Sequence, residues 1–165
     1  MVMQMARTNN LRKLVKKMLS DATFTEKHGV KGVYFETGDD KAMYPHITFL
    51  FEQISTGDLW RHDVSLIIDI YTKGTSATKV EDMADDIEDM FNAENLPQET
   101  ILPTFYLERR TAVVDEDKTI RHRQIEIVVQ NYELLEMDGL QDVNSDYLFD
   151  VLNRKLDTKE VAFNG

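Results

Sequence analysis

The chain of 165 residues contains no cysteine, three prolines and seven glycines, and it has no long apolar run. Without cysteine there is no disulfide scaffold, no thiolate nucleophile and no Cys-ligated zinc or iron–sulfur centre. Stretches such as Ile47-Thr48-Phe49-Leu50-Phe51 fall far below the ~20 residues of a membrane helix, so no bilayer-spanning segment is expected. The N-terminal stretch Leu11-Arg12-Lys13-Leu14-Val15-Lys16-Lys17 interleaves charge with leucine and lacks the apolar core of a secretory signal. An intracellular chain is the resulting expectation. Neither G-x-G-x-x-G nor G-x-x-x-x-G-K-[ST] occurs, which removes the common Gly-rich phosphate cradles. His28, His46, His62 and His122 show neither H-x-x-x-H nor H-E-x-x-H spacing, so no zinc site or other metal site is expected. His46-Ile47-Thr48 supplies only half of a double H-x-[ST] phosphoesterase pattern, because Asp63-Val64 follows His62 and Arg123-Gln124 follows His122.

Basic residues are also in short supply. Lys and Arg number 19 against 30 Asp and Glu, a formal charge of −11, which disfavours binding to phosphate backbones over most of the surface. The first 20 residues run against this balance. They hold Arg7, Arg12, Lys13, Lys16 and Lys17 and no acid, +5 in all, leaving −16 for the remainder. That segment reads either as a helix with a basic outer face or as a basic helix that docks on an acidic neighbour.

A hydrophobic content of 42% with 9% aromatics is enough for one folded domain with a tail. Leu11, Leu14, Val15, Met18 and Leu19 form one apolar stripe, predicting a helix over residues 8–19. A short strand is expected over 30–35 and a second over 46–52 after Pro45. The clearest strand sets His62, Val64, Leu66, Ile68 and Ile70 on one face and Asp63, Ser65, Ile67, Asp69 and Tyr71 on the other. Ser55-Thr56-Gly57-Asp58 between these two strands reads as a hairpin turn. Val80, Met83, Ala84, Ile87 and Phe91 then recur at helical spacing behind Lys73-Gly74-Thr75-Ser76, which ends the strand and supplies an N-cap. Asn95, Pro97 and Pro103 mark a loop, and residues 104–114 and 119–132 read as a long β-hairpin. The expected fold is α+β and two-layered: a mostly antiparallel sheet with that hairpin, and two main helices packed on one face. Residues 1–132 are read as the domain. Residues 133–165 are read as an acidic extension, with a hint of a short helix over 147–152.

Three groups of residues invite a functional reading. Asp82, Asp85, Asp86 and Asp89 align along one side of the second helix. Short Asp side chains on a straight helix point outward, so a solvated or partner-facing acidic ridge fits better than a divalent-cation site. Arg109, Arg110, Arg121 and Arg123 come together on the hairpin, either to grip an acidic neighbouring subunit or to pair across the strands with Glu108, Asp115 or Asp117. Trp60, the only tryptophan, is either core or a contact anchor.

In element order, the chain resembles the tail terminator, or tail completion, proteins of long-tailed bacteriophages. The resemblance is carried by Tyr44-Pro45-His46-Ile47-Thr48-Phe49, by the alternating stretch from Arg61 to Tyr71, by the helix from Ala77 to Phe91 and by the closing strand from Arg121 to Tyr132. It spans residues 8–132, whereas the segment from Glu133 to Gly165 departs from the smaller family members. What the resemblance implies is a non-catalytic, cofactor-free virion protein, assembled in the host cytoplasm into a ring, typically a hexamer. Such a ring caps the tail tube, ends its polymerisation and meets the head-side connector. Its partners would be other copies of itself, the tube protein and the connector, with DNA only as passing cargo and no membrane. Arg109, Arg110, Arg121, Arg123 and Trp60 are then subunit-interface candidates. Asp63, Asp69, Gln124, Glu126 and Gln130 are candidates to face the channel or a neighbouring subunit. Three alternatives stay open: another neck, connector or tube-like component, a small acidic protein-binding adaptor, and a hydrolase.

Overall fold

A computed structural model describes residues 2–38, 42–53, 61–91 and 101–133. The chain divides into a unit Met1–Leu134 and a unit Leu135–Gly165, and the second unit lies outside the described residues. So do the expected turn at 55–58, Trp60 and the hint of helix at 147–152.

The first helix, α1, runs Val2–Leu19 and buries Leu11, Leu14, Val15 and Leu19, the expected stripe. Lys16 and Lys17 occupy its last turn, where cations meet the negative end of the helix dipole. A second, short helix, α2 (Ala22–His28), was not expected from the sequence. Its N-cap is Asp21, whose Oδ1 accepts the Phe24 N–H at 3.1 Å. It closes at Gly29, in the left-handed region at φ 65°, with Gly29 N–H donating to Glu26 O and Val30 N–H to Thr25 O. Seven residues are too few to show periodicity, and only Phe24 and His28 turn inward.

The strands are β1 (Gly32–Phe35), β2 (His46–Gln53), β3 (Arg61–Lys73), β4 (Ile101–Val113) and β5 (Ile120–Glu133), with helix α3 (Thr78–Phe91) between β3 and β4. The sheet order is β1-β2-β3-β5-β4. Three of the four ladders are antiparallel, as expected. β1 departs from the pattern by pairing parallel to β2, Gly32 opposite His46 and Phe35 opposite Phe49. Pro103, expected in a loop, lies inside β4 opposite Asn131. A proline is tolerated there because β4 is an edge strand, whose outward N–H groups have no ladder partner to lose.

Helices α1 and α3 cover one face of the sheet. Ile47 and Phe49 of β2, Leu66, Ile68 and Ile70 of β3, Ile125, Ile127 and Val129 of β5 and Phe105 of β4 share that face. They form one core with the stripes of α1 and α3, the latter being Val80, Met83, Ala84, Ile87 and Phe91. Phe91 meets Phe105 edge to face with ring centroids 5.1 Å apart. Each such side chain, fully removed from water, contributes about 1.5–3 kcal/mol before entropy is charged. This is the α+β, two-layer arrangement expected, with α2 as an addition. No described helix is long and apolar enough to cross a membrane.

Candidate functional site

The hairpin arginines do not act as one cluster. Leu107 of β4 lies opposite Ile127, and the next paired residue, Arg109, lies opposite Glu126, so Glu108 is the extra residue of a β-bulge. Because side chains alternate strictly along a strand, one extra residue exchanges the faces of everything beyond it. Arg110 therefore lies opposite Ile125 on the helix-covered face, and Arg109 lies opposite Glu126 on the other face. The sequence shows no sign of this, because Leu107-Glu108-Arg109-Arg110 has no glycine to mark a bulge.

On the covered face, Arg110 and Arg123 reach the acids of α3. Arg110 donates from Nε to Glu88 Oε1 at 2.6 Å, and from Nη2 to Glu88 Oε2 at 2.8 Å and Asp85 Oδ1 at 2.6 Å. Its Nη1 donates to Glu81 Oε2 at 3.0 Å. Arg123 Nε donates to Glu81 Oε1 at 2.6 Å. The Arg123 guanidinium, followed by that of Arg110, holds the Glu81 carboxyl below its ordinary range, and Glu88 leads the three carboxylates that push the Arg110 pKa up. The ridge read along α3 is thus divided. Glu81, Asp85 and Glu88 occupy one shoulder of the apolar stripe, facing β4 and β5. On the other shoulder Asp86 accepts from Lys27 Nζ of α2 and lies beside His28 Nε2, both at 2.6 Å. Asp82 and Asp89 are exposed.

Arg109 takes a different partner. Its Nε donates to Glu126 Oε2 at 2.7 Å, and Glu126 Oε1 accepts from Ser65 Oγ at 3.0 Å. The cross-strand partner is therefore Glu126, not Glu108, Asp115 or Asp117. The Arg109 side chain is still 66% exposed. Arg121 lies opposite Thr72 and donates from Nη2 to Thr75 O at 2.8 Å, while its Nε is buried without a partner. Within one chain, then, Arg110 and Arg123 are occupied by α3, and Arg109 is the most open to solvent of the four hairpin arginines.

Asp63, Asp69, Gln124, Glu126 and Gln130 all fall on the face that the helices leave uncovered. Register places Asp63 opposite Gln130, Asp69 opposite Gln124 and Ile67 opposite Glu126. They are not equally accessible. Asp63 and Asp69 are buried, because short side chains on central β3 are shaded by longer ones on the flanking strands; Gln124, Glu126 and Gln130 are half-buried. Half-buried Leu50, Ile67 and Val128 and exposed Tyr106 give this face an apolar middle.

Sequence reasoning missed one cluster on that face. His46, Tyr71 and His122 occupy the same level of β2, β3 and β5. The His46 and Tyr71 rings stack at 4.8 Å and those of Tyr71 and His122 at 4.3 Å. Asp69 Oδ1 lies 2.7 Å from His122 Nε2 and accepts from Gln124 Nε2 at 3.0 Å. Burial, with the charge of Asp69 second, raises the Tyr71 pKa. Only the strand register brings these residues together, and register is a long-range property.

The architecture is thus a five-stranded sheet with helices on one side and a polar, partly apolar second side. No family model matches the chain, and no curated protein matches it. Solved structures do share the fold. A chain from the virion of a native gene transfer agent particle is 14% identical, covering 72% of this chain and 91% of that one, with a TM-score of 0.59. A second solved chain, 11% identical, covers 78% of this chain and 98% of its own length at a TM-score of 0.62. The bacteriophage SPP1 gp17 protein is 17% identical, covering 80% of this chain and 93% of that one, with a TM-score of 0.49. At these identities the likeness is one of fold.

Proposed function

We propose that this chain is a structural protein of a phage-type particle, and specifically a tail terminator. Its copies close into a ring, hexameric in this reading, on the end of the tail tube, where they stop tube polymerisation and present the joint to the head-side connector. The observation that carries the reading is the fold shared, over 72% of the chain, with a component of a gene transfer agent virion. Two further features support it. The long edge strand β4 exposes Tyr106, Leu107, Glu108 and Arg109 in succession, a surface on which a neighbouring subunit can pack. The uncovered sheet face carries half-buried Gln124 and Gln130, with Glu126 paired to Arg109 and with Asp63 and Asp69 buried beneath, an amide-rich surface that, on a chain of net charge −11, suits a channel passing DNA. Among the described interface candidates, Arg109 is the one best placed to reach another subunit. In this reading the protein needs no catalysis and no cofactor.

Mass photometry and negative-stain imaging of the protein alone and with purified tail tubes test the reading. Rings, or a cap on one tube end, are the expected result; a chain that stays monomeric and leaves tube ends bare would sink it. A second reading, an acidic adaptor, is favoured by one observation: Lys13, Lys16 and Lys17 of α1 are all exposed. In that case charge reversal on α1 abolishes partner capture and no ring forms under any condition. Another neck or tube-like component would give rings or stacks that do not arrest tube growth.

A further inference from the structure

We propose that the row of rings formed by His46, Tyr71 and His122 is an acid-sensitive latch, fastening the β1–β2 edge and the Tyr44-Pro45 segment to the antiparallel body of the sheet. This does not depend on the function proposed above. The two histidines are alike in burial, at 7% and 8% exposure, and unlike in partners. His122 has the Asp69 carboxylate 2.7 Å away. Among the described residues no carboxylate is paired with His46, and its Nδ1 is buried without a hydrogen-bond partner there.

Around His46, β1 contributes Tyr34, with ring centroids 6.1 Å apart, and the segment before β2 contributes Tyr44 at 5.1 Å. β3 contributes Tyr71, and β5 contributes His122 behind it. Lys73 Nζ lies 6.0 Å from the centre of the Tyr44 ring, a second cation near the stack. The Asp69 carboxylate is taken by His122 and Gln124, and the charge of Asp115 acts on Tyr71. Among the described residues, a proton placed on His46 would therefore sit in a buried stack flanked by His122 and Lys73, with no carboxylate paired to it. Burial first, and the charge of His122 as well, lower the His46 pKa from its ordinary value, while a backbone hydrogen bond at Met43 opposes them. Folded His46 thus binds its proton less readily than free imidazole. As the pH falls from the ordinary imidazole value towards the lower folded one, the released form takes up the proton and the latch weakens.

What is released is set by attachment. Lys31 N–H donates to Pro45 O at 2.7 Å, and β1 meets the sheet only through β2. Gly32 has no Cβ, which leaves room for the Tyr34 ring to fold back over the start of β1 beside His46.

The test is amide hydrogen exchange, expressed as protection factors, together with NMR titration of the histidine Cε1–H signals of the full chain. The range is about pH 8 to about pH 5, on either side of the ordinary imidazole pKa. Protection of residues 32–35 and 46–49 is expected to fall several-fold on acidification while the β3–β5 ladder keeps its protection. The midpoint of that fall should coincide with the titration of His46, and His46→Gln should remove the pH dependence. Constant protection of 32–35 across the range overturns the proposal, as does a loss that persists undiminished in His46→Gln. Should that variant not fold, the wild-type comparison decides alone: a midpoint that tracks another histidine overturns it.

Discussion

Arg110 and Glu88 face each other across the gap between β4 and α3 and share two parallel hydrogen bonds, 2.6 and 2.8 Å long. Their side chains are 27% and 19% exposed, so water competes weakly for either group. A planar guanidinium matches both carboxylate oxygens at once, which a lysine ammonium cannot do. Arg110→Ala is expected to cost about 2–3 kcal/mol in urea unfolding, since it takes the guanidinium away from half-buried Glu88 and from Asp85, while Glu81 keeps Arg123. Arg110→Lys should recover only part of that loss. A cost under about 0.5 kcal/mol, typical of an exposed ion pair, would refute the assignment.

The bulge at Glu108 makes a sharper prediction. Deleting Glu108 removes the extra residue and leaves Leu107 opposite Ile127, Arg109 opposite Glu126 and Arg110 opposite Ile125, so Arg110 keeps its place against α3. The deletion variant should therefore stay sensitive to Arg110→Ala and much less sensitive to Arg109→Ala, as the full chain is. A double-mutant cycle by chemical denaturation reads this directly. Sensitivity that passes from Arg110→Ala to Arg109→Ala once Glu108 is deleted would show that Glu108 is not the extra residue.

On the acid side, two carboxyls lose their contribution together. Glu81 is held below its ordinary pKa by Arg123 first, and Asp86 by Lys27 first and then His28. A depressed folded pKa stabilises the fold above the unfolded value, and the contribution disappears as the pH falls through the folded one. The urea midpoint should therefore fall as the pH drops below about 4, near the ordinary carboxyl values. Asp86→Asn should flatten part of that fall at low salt. An unchanged slope in this variant would remove Asp86 from the account.

The two faces of β4 should respond differently to truncation. Phe105 is fully buried against Phe91, and Tyr106, its neighbour in sequence, is 46% exposed on the other face. Phe105→Ala is expected to cost about 3–5 kcal/mol, the usual range for a buried aromatic. Tyr106→Ala should leave the stability of the isolated chain within about 1 kcal/mol. If Tyr106→Ala proves the more costly of the two in the isolated chain, the assignment of faces is wrong.

What could be read from the sequence was local in origin. The alternation along Val64, Leu66, Ile68 and Ile70 and the helical spacing of Val80, Met83, Ala84, Ile87 and Phe91 are properties of neighbouring residues, and both elements form where expected. α2 escaped because a seven-residue helix with two inward side chains has no period to detect, although Asp21 and Gly29 bracket it as caps. The parallel placement of β1, the choice of Arg110 over Arg109 for the helix-covered face and the meeting of His46 with Tyr71 and His122 were not legible. Each depends on which strands are neighbours and in what register. The hairpin could be anticipated, but the α3 acids Glu81, Asp85 and Glu88 that hold Arg110 lie on an element whose docking only the fold defines.

The way β1 joins the sheet also bears on the order of folding. β2 with β3, and β4 with β5, are antiparallel pairs of consecutive strands, which close early because little loop entropy is lost. β1 pairs parallel to the strand that follows it, so it has no template until β2 is already held by β3. The first strand in the chain is thus a late arrival, and a nascent polypeptide must keep Gly32–Phe35 unpaired until residues well downstream have emerged.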